Sequence, residues 1–572
     1  MFHTFYQKLY CILRSTCYFF VQERAMHVKR WFYLSIVFVF LVGCAASYQE
    51  EPSKSQNPSV HTAIDATQAT AQNNTDHKIT LQWYINYAWV TQKWGEDPVS
   101  KRISEVTGID VEYVVPTGNE TDKLTTMIAS GMVPDLLTIW WGEPIIQDMI
   151  NRNMLYSLNE LADLYDPSFH DVAVQDRLDW HRTPDGNVYG YPNASFTLHD
   201  YENMTTIDSN QTFLVRGDIY KAIGSPDMTT PEGFLNALKD AKAMYPTVEG
   251  KPLIPLGLYE FMETGNASLQ DYLQNFLAIP HEKDGKLYDR ETDPSYITWL
   301  KTLRKANEMG LIANDVFVDK RTQVEEKVAQ KQYFAMLYQW SDCQVQNRTI
   351  YATTPESAYI AIDGPKNEKG DPHCLDGPSI GGWTLTMISK DTKYPERAIK
   401  LLSYLMGEEG QKYIWAGIEG QAYDMIDGKV VYRQEMLDLF EKDSTAFRKQ
   451  YGANTTHWPM MDSAMAMEKG WLFPDPPFVY EIKKWTTQYA VNPSTYMLPS
   501  FESDTDEAIS EIMMSEERGK VLPQLMMSES DEEFDAIWEK YLMVREENGF
   551  SKVMEKRQEQ LETNKAKMSK QQ

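Results

Sequence analysis

One stretch limits the fold more than any other: residues 78–141 switch repeatedly between a two-residue and a helical apolar period. Ile79, Leu81, Trp83 and Ile85 alternate and predict a strand. Asp97-Pro98 supplies an N-cap and an N1 proline, and Val99, Ile103 and Val106 form a helical stripe that stops at Gly108. Residues 109–115 are strand-like again, Leu124 and Ile128 predict a second helix ended by Gly131, and residues 135–141 form a third strand. Strand–helix–strand–helix–strand at this spacing is parallel α/β construction. In such sheets ligands sit beyond the carboxyl ends of the strands, which here are residues 86–89 and 140–143.

Upstream, Lys29-Arg30 precede the apolar run 31–42, which closes on Leu41-Val42-Gly43-Cys44. A membrane-spanning helix needs about 20 apolar residues. A basic flank and an apolar core of about 7–15 residues describe a secretory signal instead. Its ending resembles a bacterial lipobox, in which cleavage precedes a cysteine whose thiol takes a lipid. Cys44 is therefore the expected lipidation site, and the body is expected outside the cell, held to the outer face of the membrane. Met26, followed by His-Val-Lys-Arg, is the expected start of translation. Residues 44–77, rich in Ser, Thr, Gln, Asn, Ala and Pro, predict a flexible spacer.

At 572 residues and 42% hydrophobic content the chain has room for two to four domains and a sizeable core. Its formal net charge is -27, and the signal region is basic, so the body is more acidic still. That balance repels nucleic acid phosphates. Of five cysteines only Cys343 and Cys374 lie in the body, and a disulfide or two free thiols are both open. No Gly-x-Ser-x-Gly, His-Glu-x-x-His or P-loop motif occurs.

Further on, residues 213–220 open a new unit, and Thr230-Pro231 caps a helix with Phe234, Leu235, Leu238 and Ala241 on its buried face. Residues 332–340 read as a buried strand that delivers Trp340, and 381–388 as another strand. Pro395 begins an amphipathic helix with Ala398, Leu401, Leu402 and Leu405 in one stripe. Phe534, Ile537, Trp538 and Tyr541 mark a late helix, and the polar last 20 residues are expected to fray.

Several of these stretches carry a family resemblance: Ser130-Gly-Met-Val-Pro134-Asp135-Leu136, residues 213–220 and 226–234, Pro395-Glu396-Arg397-Ala398 through Glu408-Glu409-Gly410, Gly417-Ile418-Glu419-Gly420 with Tyr423, and residues 534–549. Together they resemble the extracellular solute-binding proteins of bacterial ABC importers, in the family-1 sugar-binding group, closest to the large oligosaccharide-uptake lipoproteins of Gram-positive bacteria. The resemblance implies an α/β, two-lobed periplasmic-binding-protein-like fold (type II), each lobe a mainly parallel sheet flanked by helices, with the ligand in the interlobe cleft. The expected division is a signal region 1–43, a spacer 44–77, lobe 1 from 78–192 plus 383–455, and lobe 2 from 193–382 plus 456–572, with crossovers near Asn193, Gly382 and Ala453. It also implies an oligosaccharide ligand, permease partners, a monomer, no enzymatic activity and no cofactor.

A neutral sugar presents an apolar C–H face to aromatic planes and hydroxyls to Asp, Asn, Gln or Arg. The family analogy places stacking residues at Trp89, Trp140 and Trp340, with Trp383 and Tyr423 as further candidates. Asn86, Glu143, Asn193 and Asp342 are their polar neighbours. Trp140 and Trp141 point to opposite faces of one strand, and Trp140 is assigned to the cleft. Trp83 and Trp538 are assigned to the core, and Asp135 to a structural role. Glu282, Asp284 and Glu291 fall at positions 3, 5 and 12 of an EF-hand-like loop, as in some alginate-binding relatives, yet position 1 is Pro280. An Asp-Gly turn explains the same residues. A surface polysaccharide-degrading glycosidase is the competing functional reading; it would need two carboxylates about 5–10 Å apart.

Overall fold

The computed structural model describes residues 77–117 and 120–571. Cys44, most of the spacer and the proposed start at Met26 lie outside them. Strands β1 (Ile79–Ile85), β2 (Ile109–Val114), β3 (Leu136–Trp140), β4 (Gly190–Pro192), β5 (Gln211–Arg216), β6 (Ile254–Gly257), β7 (Tyr333–Gln339), β8 (Tyr359–Ala361) and β9 (Thr384–Ile388) build two separate sheets. The first has the order β2-β1-β3-β9-β4, the second β8-β5-β7-β6.

The opening α/β stretch forms as its periodicities require. Helix Pro98–Thr107 is capped by Asp97, whose carboxylate accepts from Ser100 N at 2.9 Å, and it ends at Gly108 with φ 66°. Only a residue free of a Cβ penalty takes that left-handed turn cheaply. β1 pairs in parallel with both β2 and β3. Asp135 is structural: its carboxylate accepts from Gln82 N at 2.8 Å. Trp83 and Trp538 are buried, as assigned.

Each sheet contains one reversed strand. β9 runs antiparallel to β3 and to β4, and β5 runs antiparallel to β7 and to β8. Reversal matters for the site, because the amino end of a reversed strand lies beside the carboxyl ends of its neighbours.

The two largest apolar cores among the described residues match the two-lobed α/β architecture. One gathers Trp83, Ile103, Leu161, Leu402 and Trp415; the other gathers Phe213, Phe234, Trp299, Phe334 and Trp538. The chain passes between them around Asn193 and Gly382. Its third passage comes later than Ala453: Trp458, Met460, Ala466 and Trp471 all belong to the first core, and the second resumes at Phe478. The last 20 residues do not fray. Helix Phe550–Ser569 buries Val553, Leu561 and Asn564, and the Asn564 amide donates to the carbonyls of Thr495 and Met497. The C-terminal segment also reaches lobe 1, where Lys567 Nζ donates to Trp180 O at 2.6 Å.

Candidate functional site

A cavity of about 510 Å³ opens between the two cores, within the usual span of small-ligand pockets, about 300–1,000 Å³. Lobe 2 contributes Trp340 from the carboxyl end of β7. Its backbone N–H donates to Asn210 O and its indole N–H to Ser209 O, each at 3.0 Å. These two bonds fix the ring at the cavity wall, with Lys483 Nζ 5.9 Å from its centroid. Because β5 is antiparallel to β7, with Gln211 opposite Gln339, the residues before β5 arrive at the same edge and bring Asp208 into the cavity. Asp376, upstream of β9, lines it too. Burial pushes both carboxyls up to about 6.

Lobe 1 supplies the facing wall through Trp415, Phe440 and Phe473. Phe440 and Phe473 meet edge to face at 5.2 Å. None of these three, nor Asp208 or Asp376, was singled out from the sequence. Strand direction is the missing signal for Asp208, and the late third passage is the missing signal for Phe473.

Next to the cavity stands an aromatic platform. Trp89 and Trp383 lie parallel, 6.1 Å apart with an interplanar angle of 4°, and Trp458 stacks within 5.5 Å of Trp89 and 4.5 Å of Trp383. Tyr87 closes the group at 5.2 Å from Trp383. Trp383 is drawn in by the reversed strand β9, whose Thr384 pairs with Trp140. Platform and cavity are joined by one turn. Met461, on the cavity wall, donates its N–H to Trp458 O at 2.9 Å.

The remaining sequence candidates divide. Trp140 is 44% exposed, and Trp141 packs against the Leu137 and Ile139 cluster with its ring centroid 6.1 Å from that of Trp140. Glu143 is half-buried; burial and the neighbouring Glu120 push its carboxyl up. Asn86 is buried, and its side-chain oxygen accepts from Tyr84 Oη at 2.7 Å. Asn193 has its amide engaged, accepting from Thr384 N at 2.9 Å and donating to Trp458 O at 3.2 Å, so it ties the crossover rather than offering groups to a ligand. Asp342 turns away from the cavity, where Tyr259 Oη at 2.7 Å and Arg321 Nη2 at 2.9 Å hold it. Tyr423 is buried in the lobe 1 core. Cys343 and Cys374 are both free thiols.

The EF-hand-like loop folds as a hairpin of Glu282–Lys283 against Lys286–Leu287. Asp284 and Gly285 take φ 53° and 75° at the tip, the two-residue turn that Asp-Gly favours. Two of its three candidate carboxylates are engaged: Glu282 is 2.6 Å from Lys565 Nζ, and Glu291 is 2.8 Å from both Arg518 and Arg545. Among the described residues no group of three or more His, Cys, Asp or Glu is placed to hold a metal ion.

Comparison with known proteins gives the same architecture. The alginate-binding protein AlgQ2 superposes with a TM-score of 0.63 at 18% identity, covering 85% of this chain and 99% of that one. The Streptococcus pneumoniae ABC-transporter substrate-binding protein FusA, solved with kestose, gives 0.66 at 16%, with the same coverage. An HMO-binding, ABC-transporter-associated solute-binding protein from Bifidobacterium longum infantis gives 0.62 at 14%, again covering 85% and 99%. No curated protein matches the chain. The family model described as bacterial extracellular solute-binding protein matches residues 99–422, more than half of the chain, and the chain belongs to that family.

Proposed function

We propose that this protein is the substrate-binding component of a bacterial ABC importer. It takes an oligosaccharide between its lobes and passes it unaltered to a membrane permease, tethered to the outer face of the membrane by a lipid on Cys44. The observation that carries this reading is the aromatic-walled cavity shared by two separately cored lobes. Rings such as Trp340 and Trp415 suit the C–H faces of a sugar, and carboxylates and amides between them suit its hydroxyls. Hinged closure would trap the ligand, and only to the extent that the ligand favours the closed arrangement. The kestose, alginate and HMO ligands named for the structural neighbours support a saccharide.

The test is a thermal-shift and tryptophan-fluorescence screen of the whole chain against plant and microbial oligosaccharides. A ligand that binds only the folded state raises the melting point. The expected result is a saturable shift with the sugar recovered intact. Asp208 and Asp376, both with raised carboxyls, are what the glycosidase reading would use. Shortened products from labelled oligosaccharides would favour that reading, and the absence of any saccharide-dependent shift would overturn the transport role.

A further inference from the structure

The cavity is charged unevenly. Its two cations are already taken: Arg348 donates to the Glu441 carboxylate and lies 4.7 Å over the Phe440 ring, and Lys483 Nζ is 2.9 Å from Asp475. Asp208 and Asp376 have no such counter-charge. Apart from its own backbone N–H, Asp208 has no hydrogen-bond or ion-pair partner among the described residues; Lys483 attracts it only from farther off. Asp376 receives neutral amides alone, Asn275 Nδ2 at 2.9 Å and Gln211 Nε2 at 3.5 Å, and both meet the same oxygen, Oδ2. Arg290 acts on it without touching it.

The Asp208 carboxylate and Oδ1 of Asp376 therefore keep acceptor capacity to spare. Across the cavity Trp415 shows the converse, an indole N–H that is buried and finds no protein acceptor. A hydroxyl both donates and accepts, so a sugar ring can serve both walls. A uronate would satisfy Trp415 but would set a third negative charge against two that have no direct counter-charge. Desolvation and like-charge repulsion both oppose it, and this is how a site rejects a wrong ligand of the right shape.

We infer, resting on the saccharide reading above, that the cavity takes a non-acidic oligosaccharide, and that Asp208 and Asp376 exclude sugars bearing uronic acids. Neutral malto-, xylo-, fructo- and manno-oligosaccharides of three to five units are titrated calorimetrically into the whole chain at pH 7.5, beside oligogalacturonates and oligomannuronates of the same lengths. The expected result is binding confined to the neutral set, with the best acidic sugar at least about tenfold weaker than the best neutral one. In the double variant Asp208→Asn, Asp376→Asn, checked for an intact melting transition, that gap should shrink by about tenfold or more. An acidic oligosaccharide that binds the native protein as tightly as any neutral one overturns the inference and leaves the saccharide reading standing. An unchanged gap in the double variant overturns the role of the two carboxylates. Binding of neither set overturns the saccharide reading, and the inference with it.

Discussion

Arg348, on the lobe 2 helix Gln344–Thr353, donates to the carboxylate of Glu441 on the lobe 1 helix Gln434–Lys442. The guanidinium also stacks on Phe440, so one side chain bridges the cavity mouth from lobe to lobe. The contact exists only while the lobes are together. Arg348 is nearly buried but Glu441 is 39% exposed, and solvent screening holds such a pair to about 0.5–1 kcal/mol. Glu441→Gln should therefore weaken ligand binding about two- to fivefold and widen the ligand-free particle in small-angle scattering. Unchanged affinity together with an unchanged scattering profile would remove the bridge from the closing mechanism.

Two tryptophans separate binding from stability. Trp340 is 6% exposed and hydrogen-bonded, so Trp340→Ala removes both part of the cavity wall and part of a core. It should cost about 3–5 kcal/mol of stability as well as most of the affinity. Trp89 is 48% exposed. Trp89→Ala should shift stability by no more than about 1 kcal/mol, yet lower affinity at least about fivefold if the ligand extends onto the platform. Parallel melts and titrations of the two variants check this. Full affinity in Trp89→Ala would confine the ligand to the cavity.

The sequence made the first lobe legible because its periods are clean: apolar alternation in β1, then a capped stripe at 98–107. The positions of Trp340 and Trp89 at strand ends are legible for the same reason, since each sits just past a strand that can be read. Strand direction is not written in periodicity, and that hid Asp208, which enters the site only because β5 is reversed. Asn193 and Asp342 stand beside the right segments, but backbone amides, Tyr259 and Arg321 had prior use of them. The last helix is not legible because its two buried apolar anchors, Val553 and Leu561, are too sparse among charged residues to form a stripe. The membership of 456–473 in the first core is not legible in the sequence, because the segment joins it through scattered aromatic and methionine contacts with no repeat.

The site is held at a cost to the fold. Burial raises the Asp208 carboxyl to about 6, from an ordinary value near 3.9. The folded state thus holds a proton more firmly than the unfolded chain, and stability falls as pH rises from about 4 through about 6. Above that window the penalty is complete. Asp208→Asn removes it, so the variant should be about 1–3 kcal/mol more stable than the native protein at pH 8 and no more stable at pH 4. Denaturant titrations at the two pH values measure it. A variant that is no more stable at pH 8 would show that the carboxylate is better solvated than its position implies.

A guanidinium pair occupies the place where the loop 280–291 would have offered carboxylates to a metal. Burial alone would push the Glu291 carboxyl up, but Arg518, Arg545 and the Tyr541 hydroxyl at 2.9 Å outweigh it and leave it below its ordinary value. The arginines come from the C-terminal helices Asp506–Met527 and Asp531–Glu547, so the same ion pairs fasten that segment to lobe 2. Calcium would have to displace them. Adding calcium or a chelator should therefore leave the melting point unchanged. Arg545→Met should lower stability by about 3 kcal/mol or more, because it leaves Asp289 and Glu291 short of a partner in a poorly solvated place. Calorimetric melts of both proteins, with calcium and with chelator, distinguish the two cases. A calcium-dependent rise in the native melting point would mean that the guanidiniums yield to the metal, and the internal cations would then be a resting arrangement instead of a permanent one.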